Sequence, residues 1–524
     1  MSARHGKPLR GLMSTKTSPL FQGRFGRMFR SLHAARYGKD EATSRANLMK
    51  LGDLMTSDFD GPKDAPDAEE SGIPALYTYF GQFIDHDITF DPSSSLVKHT
   101  DPDALTDFRT PAFDLDNVYG RGPDDQPYMY DGPKFLLGDK IGGGVDPNAH
   151  DLPRNSRVPP EGFDRRALIG DPRNDENSIV SQLQGLFHRF HNRTVDDHPE
   201  IDPGADFDQL QKIVRFHYHY VILNDFLPRI IHSSVLAALK TGGHFDRHKL
   251  GLFHWQDEPF MPVEFSVAAY RLGHSMIRPG YRLNDAVLLP IFPVSKTIDP
   301  PDGIPEGLTG FRAMNPAWGI DWGRFVDVDI RSYGTDPGDG SADDPTKKRL
   351  QFAYRLDTSL VTPLSALPPS VASNPASLPQ RNLIRSLELG LPSGQDVARA
   401  MHITPLKDDE IMIGKAVDSP GTGDVRGTIA SIPELSVFKG NCPLWTYILA
   451  EAGRNQEPVK IPVQEDKTIS TPRLGPVGGR IVAEVFLGMM FGDNDSLLNL
   501  DPAWQPPSGP DFRLKDLIKY ALGG

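Results

Sequence analysis

The chain has a single cysteine, Cys442, among its 524 residues. No intramolecular disulfide can form, and no zinc or iron–sulfur centre can be built on thiolates. Nor does any run approach the roughly twenty consecutive apolar residues that a membrane span requires. With 38% hydrophobic and 24% charged residues, the composition is that of a soluble globular protein. Positive charge is also short: a formal net charge of -13 argues against the basic face with which nucleic-acid-binding proteins meet phosphate. Acid, in turn, is missing from residues 1–36, which hold Arg4, Lys7, Arg10, Lys16, Arg24, Arg27, Arg30 and Arg36. That stretch lacks the uninterrupted apolar core of a secretory leader. Residues 1–50 are therefore expected to form a basic extension, flexible or wrapped on the surface. The expected location is cytoplasmic by default, with a non-classical export route left open.

What the chain has in abundance is glycine and proline, 49 and 48 residues, which implies many turns and long irregular connections. No repeat of solenoid length is visible. Residues 51–70 and 91–170 are dense in Asp, Pro and Gly and read as loops; "IPALYTYFGQFIDHDI" between them reads as a short helix with Pro74 in its first turn. From Asn177 onward, Ile179, Leu183, Leu186, Phe187 and Phe190 recur at helical spacing, with Asp175 and Glu176 at the helix start. A second helix is predicted over 206–225, limited by Pro228, and a third between Pro262 and Pro279. The stretch "GGRIVAEVFLGMMFG" is apolar nearly all round and should be a buried helix. Strand-like alternation is sparse. The expected fold is mainly α-helical with long loops and little β-structure, as one domain over 51–524 interrupted by a flexible polar loop at 334–348.

The sixteen histidines include several with a packing explanation. His188 and His191 in "FHRFHN" share a helical face without a carboxylate at ligand spacing, and "HYHY" at 217–220 reads the same way. "GPVGGR" at 475–480 lacks the strand, spacing and lysine of a phosphate loop, so a tight turn with close helix packing is the better reading. Two histidines are distinctive. His86 lies between Asp85 and Asp87 in an apolar run, and His274 follows Arg271 and a glycine, Gly273, read as a close-packing one.

Read together, "GQFIDHDI", "RTPAFDLDNVYG", "DPRNDENSIVSQLQGLFHRFHN", "AAYRLGHSMIRP" and "RNLIRSLELGLPSGQ" resemble, in order, the hallmark segments of the peroxidase–cyclooxygenase superfamily, the animal-type haem peroxidases. In a compact chain without disulfides the resemblance suggests a bacterial member. It implies a haem b cofactor with His86 as distal histidine, Gln82 as its pocket neighbour and Arg173 as distal arginine. His86 would move the proton of hydrogen peroxide while Arg173 stabilises charge developing as the O–O bond breaks, and the resulting ferryl intermediate would oxidise a small donor, a phenol or a halide. On the other face it makes His274 the iron ligand, Asn382 the acceptor of its ring N–H, and Arg271 and Arg385 the partners of the haem propionates.

The same resemblance assigns a calcium site to Asp87, Thr110, Asp114 and Asp116, with Ala112 giving a backbone carbonyl; hard oxygen donors suit that ion. Asp85 and Glu176 match carboxylates that form ester bonds to the haem in mammalian members. Asn177 stands where the myeloid enzyme has a methionine, so no sulfonium link is available there. Two other functions stay open. A fatty-acid dioxygenase would use a tyrosine three residues before the proximal histidine, where this chain has Arg271; Tyr270, one residue off, should be turned about 100° away around a helix. A haem-binding adhesion or matrix protein would have no need of Gln82, His86, Arg173, His274 and Asn382 together.

Overall fold

The structure is a computed structural model that describes residues 23–58, 67–89, 106–107, 109–155, 165–202, 206–255, 258–293, 307–329, 349–369, 371–372, 374–416, 425–461 and 464–524. The polar loop expected at 334–348 lies outside the described residues. Helix accounts for 42% and strand for 14%, so the chain is mainly helical, as expected. What strand there is forms small two- and three-stranded sheets at the margins of the helices.

The helix Leu76–Ile88 lies at the centre of the core. Phe83 stacks on Phe187 of the helix Ser178–Asp197 at 4.5 Å, and both Phe80 and Phe83 meet the edge of Tyr218 on the helix Phe207–Val221. Offset and edge-on contacts of this kind fix ring positions as well as burying area. The apolar helix Pro476–Gly492 closes the other side, with Phe486 against Phe113 and Phe226. Its first turn is "GPVGGR". A side chain at Gly478 would strike Ile448 at 2.5 Å, and the Glu451 carboxylate accepts from Val477 N and Gly478 N. The helix start is thus filled by a protein carboxylate and closed to phosphate.

Several boundaries differ from the sequence reading, each for a local reason. Pro74 ends a strand, Glu70–Pro74, paired antiparallel with Phe352–Tyr354, instead of opening the helix. Carbonyls of Gln351 and Phe325 take the amides of Ala75 and Leu76, so the helix starts on tertiary partners and needs no side-chain cap. The second helix does not stop before Pro228: a π-helical turn, Ile222–Phe226, widens the backbone and Leu227–Ile230 continues it. A wide turn makes room for a proline ring and its missing N–H. The boundary at residue 50 falls inside a helix, Glu41–Leu54, whose Leu48 and Leu51 are buried, and Gly23–Gly26 pairs with Met261–Pro262. The described part of the basic segment is thereby built into the core, through apolar side chains placed between its arginines.

Candidate active site

His86 occupies the last turn of the Leu76–Ile88 helix and is 4% exposed. Its Nδ1 faces Asn174 Oδ1 at 2.7 Å. Because Asn174 commits its Nδ2 to Gln184 Oε1 at 2.8 Å, the oxygen is what it offers His86, and the imidazole proton sits on Nδ1. Burial first, and then the nearby Arg173 cation, push the imidazole down to about 3, so it is neutral. Nε2 keeps its lone pair, with Glu176 Oε1 at 3.8 Å beyond hydrogen-bond range. A neutral imidazole with a free Nε2 can act as a base.

Arg173 comes from the short 3-10 turn Pro172–Asp175. Its Nη2 donates to the carbonyls of His86 and Thr89 at 3.1 and 2.5 Å and to Asp171 Oδ2 at 2.8 Å, pinning the guanidinium at the end of the distal helix. Burial would raise the Asp171 carboxyl, but Arg173 and Arg109 hold it well below its ordinary range. Gln82, one turn before His86, bonds Glu176 through Nε2 and accepts from Asn177 Nδ2 at 3.1 Å. Asn177 also caps the following helix, its Oδ1 accepting from Ile179 N and Val180 N. Burial raises the carboxyls of both Asp85 and Glu176, the latter to about 7, with Arg173 opposing. Thr89 Oγ1 donates to Asp85 at 3.0 Å.

The proximal segment is not the single helix expected between Pro262 and Pro279. It breaks after Val263–Ser266 and resumes as a tighter 3-10 stretch, Ala269–His274, with Arg271 at φ -78, ψ 15. Arg271 Nε takes the Ser266 carbonyl that a continuous helix would have paired with a backbone amide. The 100° step around an α-helix therefore does not apply to Tyr270; its ring stacks on Phe265 at 4.8 Å and its hydroxyl donates to Gly81 O at 3.1 Å, tying the proximal turn to the distal helix. Gly273 is not close-packed either. A side chain there would meet nothing within 4 Å, so open space borders His274.

His274 Nδ1 lies 2.8 Å from Asn382 Nδ2, while Arg271 Nη1 donates to Asn382 Oδ1 at 2.9 Å. The pairing is the expected one but its direction is reversed: held by Arg271, the amide donates to the imidazole. A histidine that ligates metal through Nε2 carries its proton on Nδ1. Iron ligation by His274 therefore calls for the Asn382 amide turned over. Arg385, one turn further along the Leu378–Glu388 helix, is 8% exposed. Burial, and then Arg271, lower His274 to about 3. Two neutral imidazoles on adjoining segments, each with Nε2 unpaired among the described residues, two guanidiniums and open space at Gly273 fit a haem.

Behind His86, oxygens of Asp87, Asp114 and Asp116 converge within 4.8 Å. Leu115, buried and at φ 60, turns the loop so that its two neighbours flank Asp87; a leucine in that conformation is held there by its surroundings. Asp87 is fully buried, and its Oδ1 has no hydrogen-bond partner among the described residues, while Oδ2 accepts from Tyr218 at 3.1 Å. Thr110 and Ala112 lie just upstream on the same loop, joined by Ala112 N donating to Thr110 O at 2.8 Å. An unpaired buried carboxylate oxygen beside two more acids fits a hard divalent cation.

Residues 98–309 match the family model for animal haem peroxidase. The chain carries an animal haem peroxidase domain. It is 27% identical over 143 residues to the chorion peroxidase of Aedes aegypti, a stretch covering 25% of the chain and 18% of that protein. The family likeness is thus read over a fifth or less of that relative's length. Its fold is similar to that of peroxidase A from Dictyostelium discoideum (TM-score 0.57, 14% identity, 96% of this chain and 93% of the other). It is also similar to fatty acid alpha-dioxygenase of Oryza sativa (TM-score 0.52, 15% identity, 96% and 79%). At such identities the two structures show the fold alone. The matched family implies haem and supports an oxidoreductase. Among the described residues no helix is long and apolar enough to cross a membrane.

His191, His217 and His219 are buried, as read from sequence: His191 bonds Tyr119 and Pro133 O, and His219 bonds Phe113 O. Sequence reading passed over Asn174, Gln184, Asp171 and Arg109. Asn174 stands inside the motif that supplied Arg173, and that adjacency was the one available signal.

Proposed function

We propose that this chain is a haem-dependent peroxidase that uses hydrogen peroxide to oxidise small electron donors such as phenols and halides. The observation that carries the reading is His86: buried, neutral, its proton held on Nδ1 and its Nε2 free beside Arg173. His86 Nε2 takes a proton from peroxide and returns it to the oxygen that leaves as water. Arg173, fixed by Asp171 and by the last carbonyls of the distal helix, opposes the negative charge that develops on the separating oxygens. Gln82 positions the peroxide beside His86. His274 would hold the iron, Asn382 with its amide turned over would take the Nδ1 proton of His274, and Arg271 and Arg385 would meet the propionates. The haem, when bound, supplies the iron that takes up peroxide and passes its oxidising power to the donor.

Asp85 and Glu176 are the residues for ester links to the haem. Asp87, Asp114 and Asp116, with Thr110 and the Ala112 carbonyl, hold Ca2+ and so brace His86 from behind. Against the dioxygenase reading stands the Tyr270 hydroxyl, already committed to Gly81 O. The test is a set of steady-state assays on haem-loaded protein: peroxide-dependent oxidation of a phenol or of bromide, and oxygen uptake with a fatty acid. Turnover with the fatty acid alone would overturn the proposal, and turnover with neither would favour a haem-binding adhesion or matrix role.

A further inference from the structure

We propose that Asn174, Gln184 and His188 form a hydrogen-bonded relay that sets which nitrogen of His86 carries the proton. The tautomer assignment stands on the relay geometry; only its effect on rate rests on the peroxidase reading.

The relay has three links. His86 Nδ1 meets Asn174 Oδ1 at 2.7 Å, Asn174 Nδ2 meets Gln184 Oε1 at 2.8 Å, and Gln184 Nε2 meets His188 Nε2 at 2.9 Å. All four residues are buried. A carboxamide has a donor on one side and an acceptor on the other, so two amides in series must point the same way. In the direction observed, His86 donates from Nδ1, and His188 accepts on Nε2 and must carry its own proton on Nδ1. With both amides turned over, His188 would donate from Nε2 and Asn174 would donate to His86 Nδ1. The His86 proton would then sit on Nε2, where the base is needed. Mixed arrangements set donor against donor or acceptor against acceptor and lose a buried hydrogen bond. The two histidines are therefore coupled: fixing the proton on one fixes it on the other. A neutral imidazole carries a single proton, so the choice of nitrogen is the freedom the relay governs.

The far end of the relay is His188. Its ring lies flat on Phe135 at 4.3 Å, and its Nδ1 is buried with no hydrogen-bond partner among the described residues. His188 lines a pocket with Asp146, His150, Asp151, Gln182 and Arg189. The Asp146 and Asp151 carboxylates are spent on Arg189, Asn148 N, Leu152 N and Arg154. With both amides as placed, Gln184 donates to His188 Nε2 and His86 donates from Nδ1, which leaves His86 Nε2 free. Asn174, Gln184 and His188 are positioning residues.

The experiment uses the full chain loaded with haem, in its diamagnetic ferrous carbon monoxide form, with 15N-labelled histidine. NMR reads which nitrogen of His86 is protonated, and stopped-flow mixing reads the rate with peroxide. The wild type should show Nδ1–H on His86; Nε2–H would overturn the proposal with no variant required. Gln184→Glu should keep Nδ1–H and the rate, because a carboxylate only accepts and so holds Asn174 in the observed direction. Gln184→Leu should give a mixture of tautomers and a rate roughly fivefold to tenfold lower, the weight of one hydrogen bond in choosing between two states. An unchanged tautomer and rate in Gln184→Leu, or loss of Nδ1–H in Gln184→Glu, would overturn it. A wild type with Nδ1–H but no reaction with peroxide would end the peroxidase reading and leave the relay standing.

Discussion

Without a divalent cation at the three clustered carboxylates, this protein's stability should fall as pH rises, and the size of the effect follows from those carboxylates. Burial, and then the mutual repulsion of Asp87, Asp114 and Asp116, hold the Asp87 carboxyl well above its ordinary value and bring Asp114 up to about 8. Asp116 is raised by burial against the pull of Arg109. A carboxyl whose folded value is raised binds its proton more tightly when folded, so its contribution is fully present below the unfolded value near 4 and is lost as pH climbs toward 8. For Asp114 alone, full burial would make the loss on the order of 5 kcal/mol; its partial exposure reduces this to about 2–4 kcal/mol. In a chain of this size that is a fall in Tm of about 2–4 °C. A bound Ca2+ supplies the opposing charge and removes the penalty. Melting curves in chelator should therefore drop between pH 5 and pH 8, while curves in millimolar calcium stay level, and calcium added at pH 7 should release protons in a weakly buffered titration. Identical curves with and without calcium at pH 8, or a Tm in chelator that rises with pH across this window, would refute the reasoning.

Three further predictions concern the candidate haem site. His86→Ala should leave the Soret band in place and slow the reaction with peroxide by about 10²–10⁴-fold, measured by stopped flow, since proton transfer is lost while His274 is untouched. Asn382→Asp should retain haem and lower the Fe(III)/Fe(II) potential in a spectroelectrochemical titration, because a carboxylate accepts from Arg271 and His274 Nδ1–H together and makes the imidazole a stronger donor; an unchanged potential would remove Asn382 from that role. After turnover with peroxide, wild-type haem should resist acid–acetone extraction, and Asp85→Val combined with Glu176→Gln should release it; haem extracted freely from the wild type would dismiss the ester links.

The sequence alone was informative where chemistry lies in consecutive residues. His86, Arg173, His274 and Asn382 sit in short segments whose order and wording carry the family likeness, and the Asp87, Asp114 and Asp116 cluster follows from two such segments. The helix from Ser178 was legible because one apolar face repeats along it. The proximal turn was not. "VEFSVAAYRLGHSMI" has helical spacing, and what breaks it is the Arg271 side chain taking the Ser266 carbonyl, a bond no periodicity reveals. Pro228 misled for a similar reason, since a π-helical turn can absorb a proline that an α-helix cannot. The relay escaped because Asn174 and His86 are 88 residues apart and meet only once the helices pack.

The distal pair and the carboxylate cluster belong to one charge system. Arg173 pairs with Asp171 at 2.8 Å, Asp171 with Arg109 at 2.6 Å, and Arg109 with Asp116 at 3.0 Å. The cluster thus touches the distal site twice: through the backbone, where Asp87 follows His86 directly, and through Arg109, which shares itself between Asp116 and the carboxylate that holds Arg173. Alternating signs along such a chain make each ion stabilise the next in a buried setting, and removing one member leaves its neighbour uncompensated. A cation among Asp87, Asp114 and Asp116 competes with Arg109 for Asp116 and frees more of that guanidinium for Asp171. Occupancy of the cluster and the placement of Arg173 should then change together, so peroxide chemistry and thermal stability should respond to calcium over the same concentration range.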